Sequence, residues 1–257
     1  MEIGLRTPLL DFFRRGEVAQ DVKLLAAQGA IAPRPLEQLG LLAFLTGDHD
    51  PEVQRTAEET LAKIPPDLIG GFIARSDVPL ELREFFVKRG IAVAATPAPD
   101  PDEPFVDVDE TDYGPEPTTD DQKMSLVQRL ASMAVPEKVK AAMKGSREMR
   151  AILIRDPNKL VALAVLSSPK MTETEVSAIA RMGSVSEDVL RTIAQSRAWT
   201  KNYDVISALV KNAKTPLAMS MTLLNRLSEK DLKGLSTNRN IPETLRIAAR
   251  KKIVMGD

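Results

Sequence analysis

The sequence predicts an all-α protein built from short antiparallel helix pairs. Three observations carry that expectation. Helix-start and helix-stop residues recur at nearly constant spacing, and the apolar residues between them fall at helical intervals. No stretch of useful length alternates with the period of two that a half-buried strand requires.

In the first part of the chain, helix starts are expected at Pro8 (capped by Thr7), Asp21, Pro35, Pro51, Pro66 and Pro79, which are 13, 14, 16, 15 and 13 residues apart. Proline is tolerated in a first helical turn because its missing N–H has no intrahelical acceptor there. Gly16, Gly29, Gly47 and Gly90 stand where a left-handed C-terminal cap is wanted. The later part uses different punctuation. Thr172, Ser184, Ser228 and Asn240 each precede an acid by three residues, the pattern of a capping box. Starts near 124, 136, 147, 158, 172, 186, 202, 216, 228 and 242 predict about ten more helices. Their apolar residues recur at helical spacing: Val176, Ile179 and Ala180; Val189, Leu190 and Ile193; Val205, Leu209 and Val210; Leu223, Leu224 and Leu227. A helix of about ten residues is only ~15 Å long and marginal by itself, so each must bury its stripe against neighbours.

Two helices in every 28 to 30 residues or so, repeated, is the pattern of an α-solenoid. LLAFLTGDHDPEVQRTAEETLAKIP (Leu41 to Pro65) resembles a HEAT repeat, with an apolar helix end, an Asp-rich turn closed by Pro51, then Val53, Arg55, Ala57 and Leu61. LSSPKMTETEVSAIA (Leu166 to Ala180), LVKNAKTPLAMSMTLL (Leu209 to Leu224) and LSTNRNIPETLRIAA (Leu235 to Ala249) rhyme with one another. They resemble the leucine-rich-repeat-variant and HEAT-like class. The resemblance implies stacked short helices and is nearly silent on function, because such repeats serve unrelated tasks.

Charge divides the chain more sharply than its formal net of -1 suggests. Residues 1–99 carry 11 bases and 14 acids, residues 100–121 carry ten acids and no base, and residues 122–257 carry 24 bases and 12 acids. The expected organisation is therefore a HEAT-like array over 1–95, an acidic proline-rich linker over 96–121 that is disordered in isolation, and a basic array of variant repeats over 122–257. The linker reads DPDEPFVDVDETDYGPEPTTDD from Asp100 to Asp121. It is either a solvated spacer or a docking segment that lays Phe105, Val106 and Tyr113 into an apolar groove, on the basic array or on a partner. A tether of about 25 residues reaches roughly 25 to 30 Å, enough to fold back over several repeats. As a calcium loop it fails. Asp107, Asp109 and Asp112 start the pattern, but Asp112 stands where glycine is required and Thr118 where glutamate is required.

The chain has no Cys and one His, His49, in the predicted turn GDHDP. That excludes thiol chemistry and leaves zinc sites and His-dependent triads to a single residue. Gly70 and Gly71 in DLIGGFIA lack the Lys and Ser/Thr of a phosphate loop. No cofactor, no metal and no enzymatic activity are expected. The absence of Cys suits a reducing compartment, and the early charges Glu2, Arg6, Asp11, Arg14 and Arg15 argue against a signal peptide, so a cytoplasmic protein without membrane spans is expected.

SRAWTKNYD (Ser196 to Asp204) is the most distinctive local feature. Arg197, Trp199, Lys201 and Tyr203 alternate across one inter-helix gap, either as a plug for a wider gap or as a partner-binding strip, since aromatic residues and Arg dominate binding hot spots. The expected function is a non-enzymatic protein–protein interaction scaffold or adaptor. The alternative is nucleic-acid binding by the basic array, gated by the acidic linker. Against the alternative, acids gather at helix starts and bases at helix ends, as the helix dipole favours. Aromatic residues for base stacking are also few there.

Overall fold

The computed structural model describes residues 4–5, 7–32, 34–99, 104–106 and 119–255. Among them are sixteen α-helices, one short 3-10 helix and no strand. Two compact units divide the chain: residues 1–153 with 167–169, and residues 154–166 with 170–257. The first holds α1 (Pro8–Arg14), α2 (Gln20–Ala27), α3 (Pro35–Leu45), α4 (Pro51–Ala62), α5 (Pro66–Ile73), α6 (Leu80–Lys88), α7 (Asp120–Ser132), α8 (Val135–Lys144) and α9 (Arg147–Leu153). The second holds α10 (Lys159–Leu166), α11 (Glu173–Arg181), α12 (Glu187–Gln195), the 3-10 turn Trp199–Lys201, α13 (Tyr203–Lys211), α14 (Leu217–Leu224), α15 (Glu229–Thr237) and α16 (Glu243–Met255). Compactness thus divides the chain elsewhere than charge does. Helices α7 to α9 belong to the first unit, where α8 packs against α2 and α9 against both α7 and α8.

The punctuation positions most of the helices. Thr7 accepts the Leu10 N–H at 3.3 Å, and prolines open α1, α3, α4 and α5. Gly16, Gly29 and Gly90 take φ values of 72°, 83° and 82°, the left-handed caps that stop α1, α2 and α6. Gly47 does not: after α3 the Asp48 N–H bonds the Leu45 carbonyl at 3.0 Å and no left-handed residue is used. Thr172 and Glu175 form the expected capping box. Ser186 rather than Ser184 caps α12, accepting from the Val189 N–H at 3.4 Å. Helix α7 starts about a turn earlier than expected because Thr119 and Gln122 form a capping box.

Most helices bury one stripe, while α3 and α10 are buried on nearly every side. In the first unit Leu9, Val22, Leu42, Val53, Ala57, Phe72 and Phe86 are almost wholly buried. In the second unit, all of Val176, Ile179, Val189, Ile193, Val205, Leu209, Leu223 and Leu227 are buried, as their spacing predicts. There the helices pack on near neighbours: α10 and α11 on α12, α13 on α11, α12 and α14, and α16 on α14 and α15.

One part of the first unit departs from the sequence expectation. The last four carbonyls of a helix have no intrahelical donor, and in α5 these belong to Gly70, Gly71, Phe72 and Ile73. The Ala94 N–H donates to Gly70 O (3.1 Å), the Ala98 N–H to Gly71 O (2.9 Å), the Arg75 N–H to Phe72 O (3.1 Å) and the Arg83 Nε–H to Ile73 O (2.8 Å). Two of the four donors come from the chain after α6, which was expected to begin a disordered linker at residue 96. Residues 96–99 and 104–106 are instead described and lie on the first unit; residues 100–103 and 107–118 lie outside the described residues. Glycine is needed for this approach. A Cβ on Gly70 would stand 2.5 Å from Ala92 O, and one on Gly71 would stand 3.2 Å from the Ala98 Cβ.

By helix propensity alone, Gly70→Ala gains about 1 kcal/mol. Overpacking against the Ala92 carbonyl is expected to reverse that to a loss of about 1 to 3 kcal/mol in urea unfolding followed by circular dichroism. A stabilised Gly70→Ala chain would contradict the packing.

Candidate interaction sites

Two places gather candidate side chains, one in each unit. In the second, the 3-10 turn bridges α12 and α13. Its base is fixed by Ser196: the Thr200 hydroxyl donates to Ser196 O (2.7 Å), and the Trp199 N–H reaches Ser196 Oγ at 3.5 Å. Thr200 is buried, Trp199 half-buried, and Arg197 and Lys201 exposed. Asn202 then caps α13, accepting from the Asp204 N–H (2.9 Å) while its Nδ2 donates to Glu173 Oε2 (2.7 Å) at the start of α11.

Tyr203, 40% exposed, does more than fill a gap. In a complete capping box the N3 acid would accept the Ser228 N–H. Here Ser228 accepts from the Asp231 N–H (3.3 Å), but its own N–H donates to the Tyr203 hydroxyl at 3.0 Å. That hydroxyl donates to the Asp231 carboxylate, which also takes the Lys211 ammonium at 2.7 Å. Lys211, then Tyr203, hold Asp231 below the usual carboxylate range. Tyr203, Lys211 and Asp231 line a cleft of about 370 Å3 together with Arg181, Asp204, Ser207, Ala208 and Asn212. Of the residues singled out from sequence, Tyr203 lines it, while Arg197, Trp199 and Lys201 lie along the preceding turn. Arg181, Lys211 and Asp231 were missed. The two bases each end a helix, thirty residues apart, which is the signal that would have paired them.

The second place lies on the first unit. Phe105 meets the buried Phe72 edge-to-face, with ring centroids 5.4 Å apart and planes at 89°. Val106 is held through its backbone: its N–H donates to Gln38 Oε1 (3.1 Å), and Gln38 Nε2 donates to Val106 O (2.6 Å). The same Nε2 reaches Gly29 O at 2.9 Å, so a glutamine side chain that is 1% exposed is saturated by two main-chain segments. Phe105 and Val106 therefore contact α5 and α3 of the first unit, whereas the sequence reading considered docking on the basic array or on a partner. Tyr113 lies outside the described residues, as do Asp107, Asp109 and Asp112.

No protein-family model matches the chain, nor does any curated protein or solved structure compared with it. Among the described residues no group of three His, Cys, Asp or Glu is placed to hold a metal ion, and no helix is long and apolar enough to cross a membrane. His49 is exposed in the turn between α3 and α4. Burial pushes the Glu37 carboxyl up, against a hydrogen bond from Thr7 and the charge of Arg34. It stands beside α1 and belongs to neither place.

Because Asp231 is held low, its bond to Tyr203 stabilises the fold above the ordinary Asp range and is lost as pH falls through the depressed value. Tyr203→Phe should lower stability by about 1 kcal/mol at pH 7, with a smaller deficit once Asp231 is protonated. Chemical denaturation at pH 7 and at successively lower pH checks both the size and the direction of the pH dependence.

Proposed function

We propose that the protein is a non-enzymatic scaffold for protein–protein interaction, a HEAT-like or variant-repeat α-solenoid in which two helical arrays joined by an acidic linker present extended surfaces to another protein. The supporting observation is the anchored strip Arg197–Tyr203. Asn202 is tied to Glu173, Thr200 to Ser196 and Tyr203 to Ser228 and Asp231, so an Arg, a Trp and a Lys stand on a turn whose conformation is already fixed. A fixed turn carrying Arg and aromatic side chains suits association, because little side-chain and loop freedom remains to be lost on binding.

Nucleic-acid binding is the second reading, favoured by the charge of the second unit, which holds 17 bases and 10 acids, a net of +7. Several of those bases already face carboxylates: Lys159 with Asp188 (2.9 Å), Lys211 with Asp231 (2.7 Å) and Lys233 with Glu229 (2.6 Å). Both signs therefore alternate along its surface, which weakens a phosphate-binding patch.

Affinity capture with the full chain after nuclease treatment, repeated with Arg197→Ala/Trp199→Ala, separates the two readings. The scaffold reading expects protein partners that survive nuclease and are depleted at least tenfold by the double substitution, with unchanged helical circular dichroism. Capture insensitive to the substitution, or binding to duplex DNA that falls steeply above ~50 mM salt, would favour the second reading.

A further inference from the structure

We infer that the surface around Gly29, Gln38 and Phe72 is a peptide-recognition groove, that Pro104–Val106 is its tethered ligand, and that a partner segment carrying an aromatic residue and bent as Pro104–Val106 is binds by displacing it. The groove recognises two things. Gln38 offers an acceptor and a donor to the N–H and C=O of a single residue, and so reads main chain rather than a particular side chain. Phe72 offers an aromatic face to the preceding residue, and the Arg75 guanidinium stands over the Phe72 ring at 5.3 Å.

The floor is shaped for a close approach. Gly29 has a φ of 83°, and a Cβ there would lie 3.4 Å from the Val106 Cβ and 3.3 Å from Gln38 Nε2. A left-handed glycine thus both stops α2 and leaves the space in which Val106 lies. None of these contacts is specific to the chain's own segment. Any segment with Phe, Tyr or Trp that takes the same bend can meet the same two bonds and the same ring.

The tether is short. Ala98 is bonded to Gly71, and Phe105 follows seven residues later. A linker of that length supplies an effective concentration of order mM, so a free peptide competes against a groove that is mostly filled. Its apparent affinity is reduced by the fraction of chains whose groove is open. The groove is independent of the strip in the second unit, so a failure here leaves the scaffold reading to its own test.

The probe is a fluorescein-labelled peptide DEPFVDVD, the sequence of residues 102–109, titrated into the full-length protein by fluorescence polarisation. Phe105→Ala in the full chain should bind it at least tenfold more tightly than the unaltered chain does. Adding Gln38→Ala should remove that gain, and the peptide DEPAVDVD should not bind. Val106→Pro, which deletes the N–H that Gln38 accepts, opens the groove by a second route and should give the same gain. Circular dichroism and thermal melting confirm that each variant is folded. Equal peptide affinity in the unaltered chain and in both groove-opening variants, or a gain that survives Gln38→Ala, would overturn the inference.

Discussion

A helix of seven to thirteen residues is mostly ends. With four N–H and four C=O groups unserved by its own ladder, a seven- or eight-residue helix has more orphan backbone groups than internal bonds. The assembly depends on where those groups find partners. In α5 every one of the last four carbonyls is met, two of them by chain that follows α6. In the second unit the work falls to side chains. Asn212 Nδ2 donates to Ala180 O (2.8 Å) and Met182 O (3.0 Å) at the end of α11, and Arg250 closes α15 through Ser236 O. Burial of apolar stripes gives the helices a reason to pack. The end groups decide which neighbours they take and in what register.

The two candidate sites are elaborations of helix ends. Tyr203 takes the N–H that a capping box would have given to Asp231, which frees that carboxylate to meet Lys211 across the cleft. Gln38 takes the carbonyl of Gly29, the left-handed residue that stops α2, and spends its remaining donor and its acceptor on Val106. In both cases a polar side chain answers a helix terminus in one direction and a distant segment in the other. The chain uses the same device for stability and for placing surface groups.

The helical content and the helix starts were legible because they rest on local chemistry: proline in the first turn, a capping hydroxyl or amide, an apolar stripe at 3.6-residue spacing. The errors were also local. Thr119 was read as part of the acidic run and Gln122 as the start of the basic array rather than the two together as a cap, and Ser184 was preferred to Ser186 because an acid follows it by three. What could not be read was pairing across distance. Gln38 and Val106 are 68 residues apart, and Tyr203 and Asp231 are 28 apart, and neither pair leaves a periodic trace. Gly70 and Gly71 were noticed only as a failed phosphate loop. Two adjacent glycines inside a helix cost about 1 kcal/mol each, and that unexplained cost was the available sign that something presses close against them. Charge counting put the boundary near residue 122, whereas α7 to α9 complete the first unit through α8 against α2. Charge records composition, while compactness follows buried contacts.

The account turns on the chain after α6 being bonded to the first unit rather than free. Amide hydrogen exchange on the full-length protein addresses that directly at three residues: Ala94, whose N–H goes to Gly70; Ala98, whose N–H goes to Gly71; and Val106, whose N–H goes to Gln38. All three amides should exchange at least about tenfold more slowly than in an unstructured peptide of the same sequence. Exchange of all three at the unstructured rate would contradict the account.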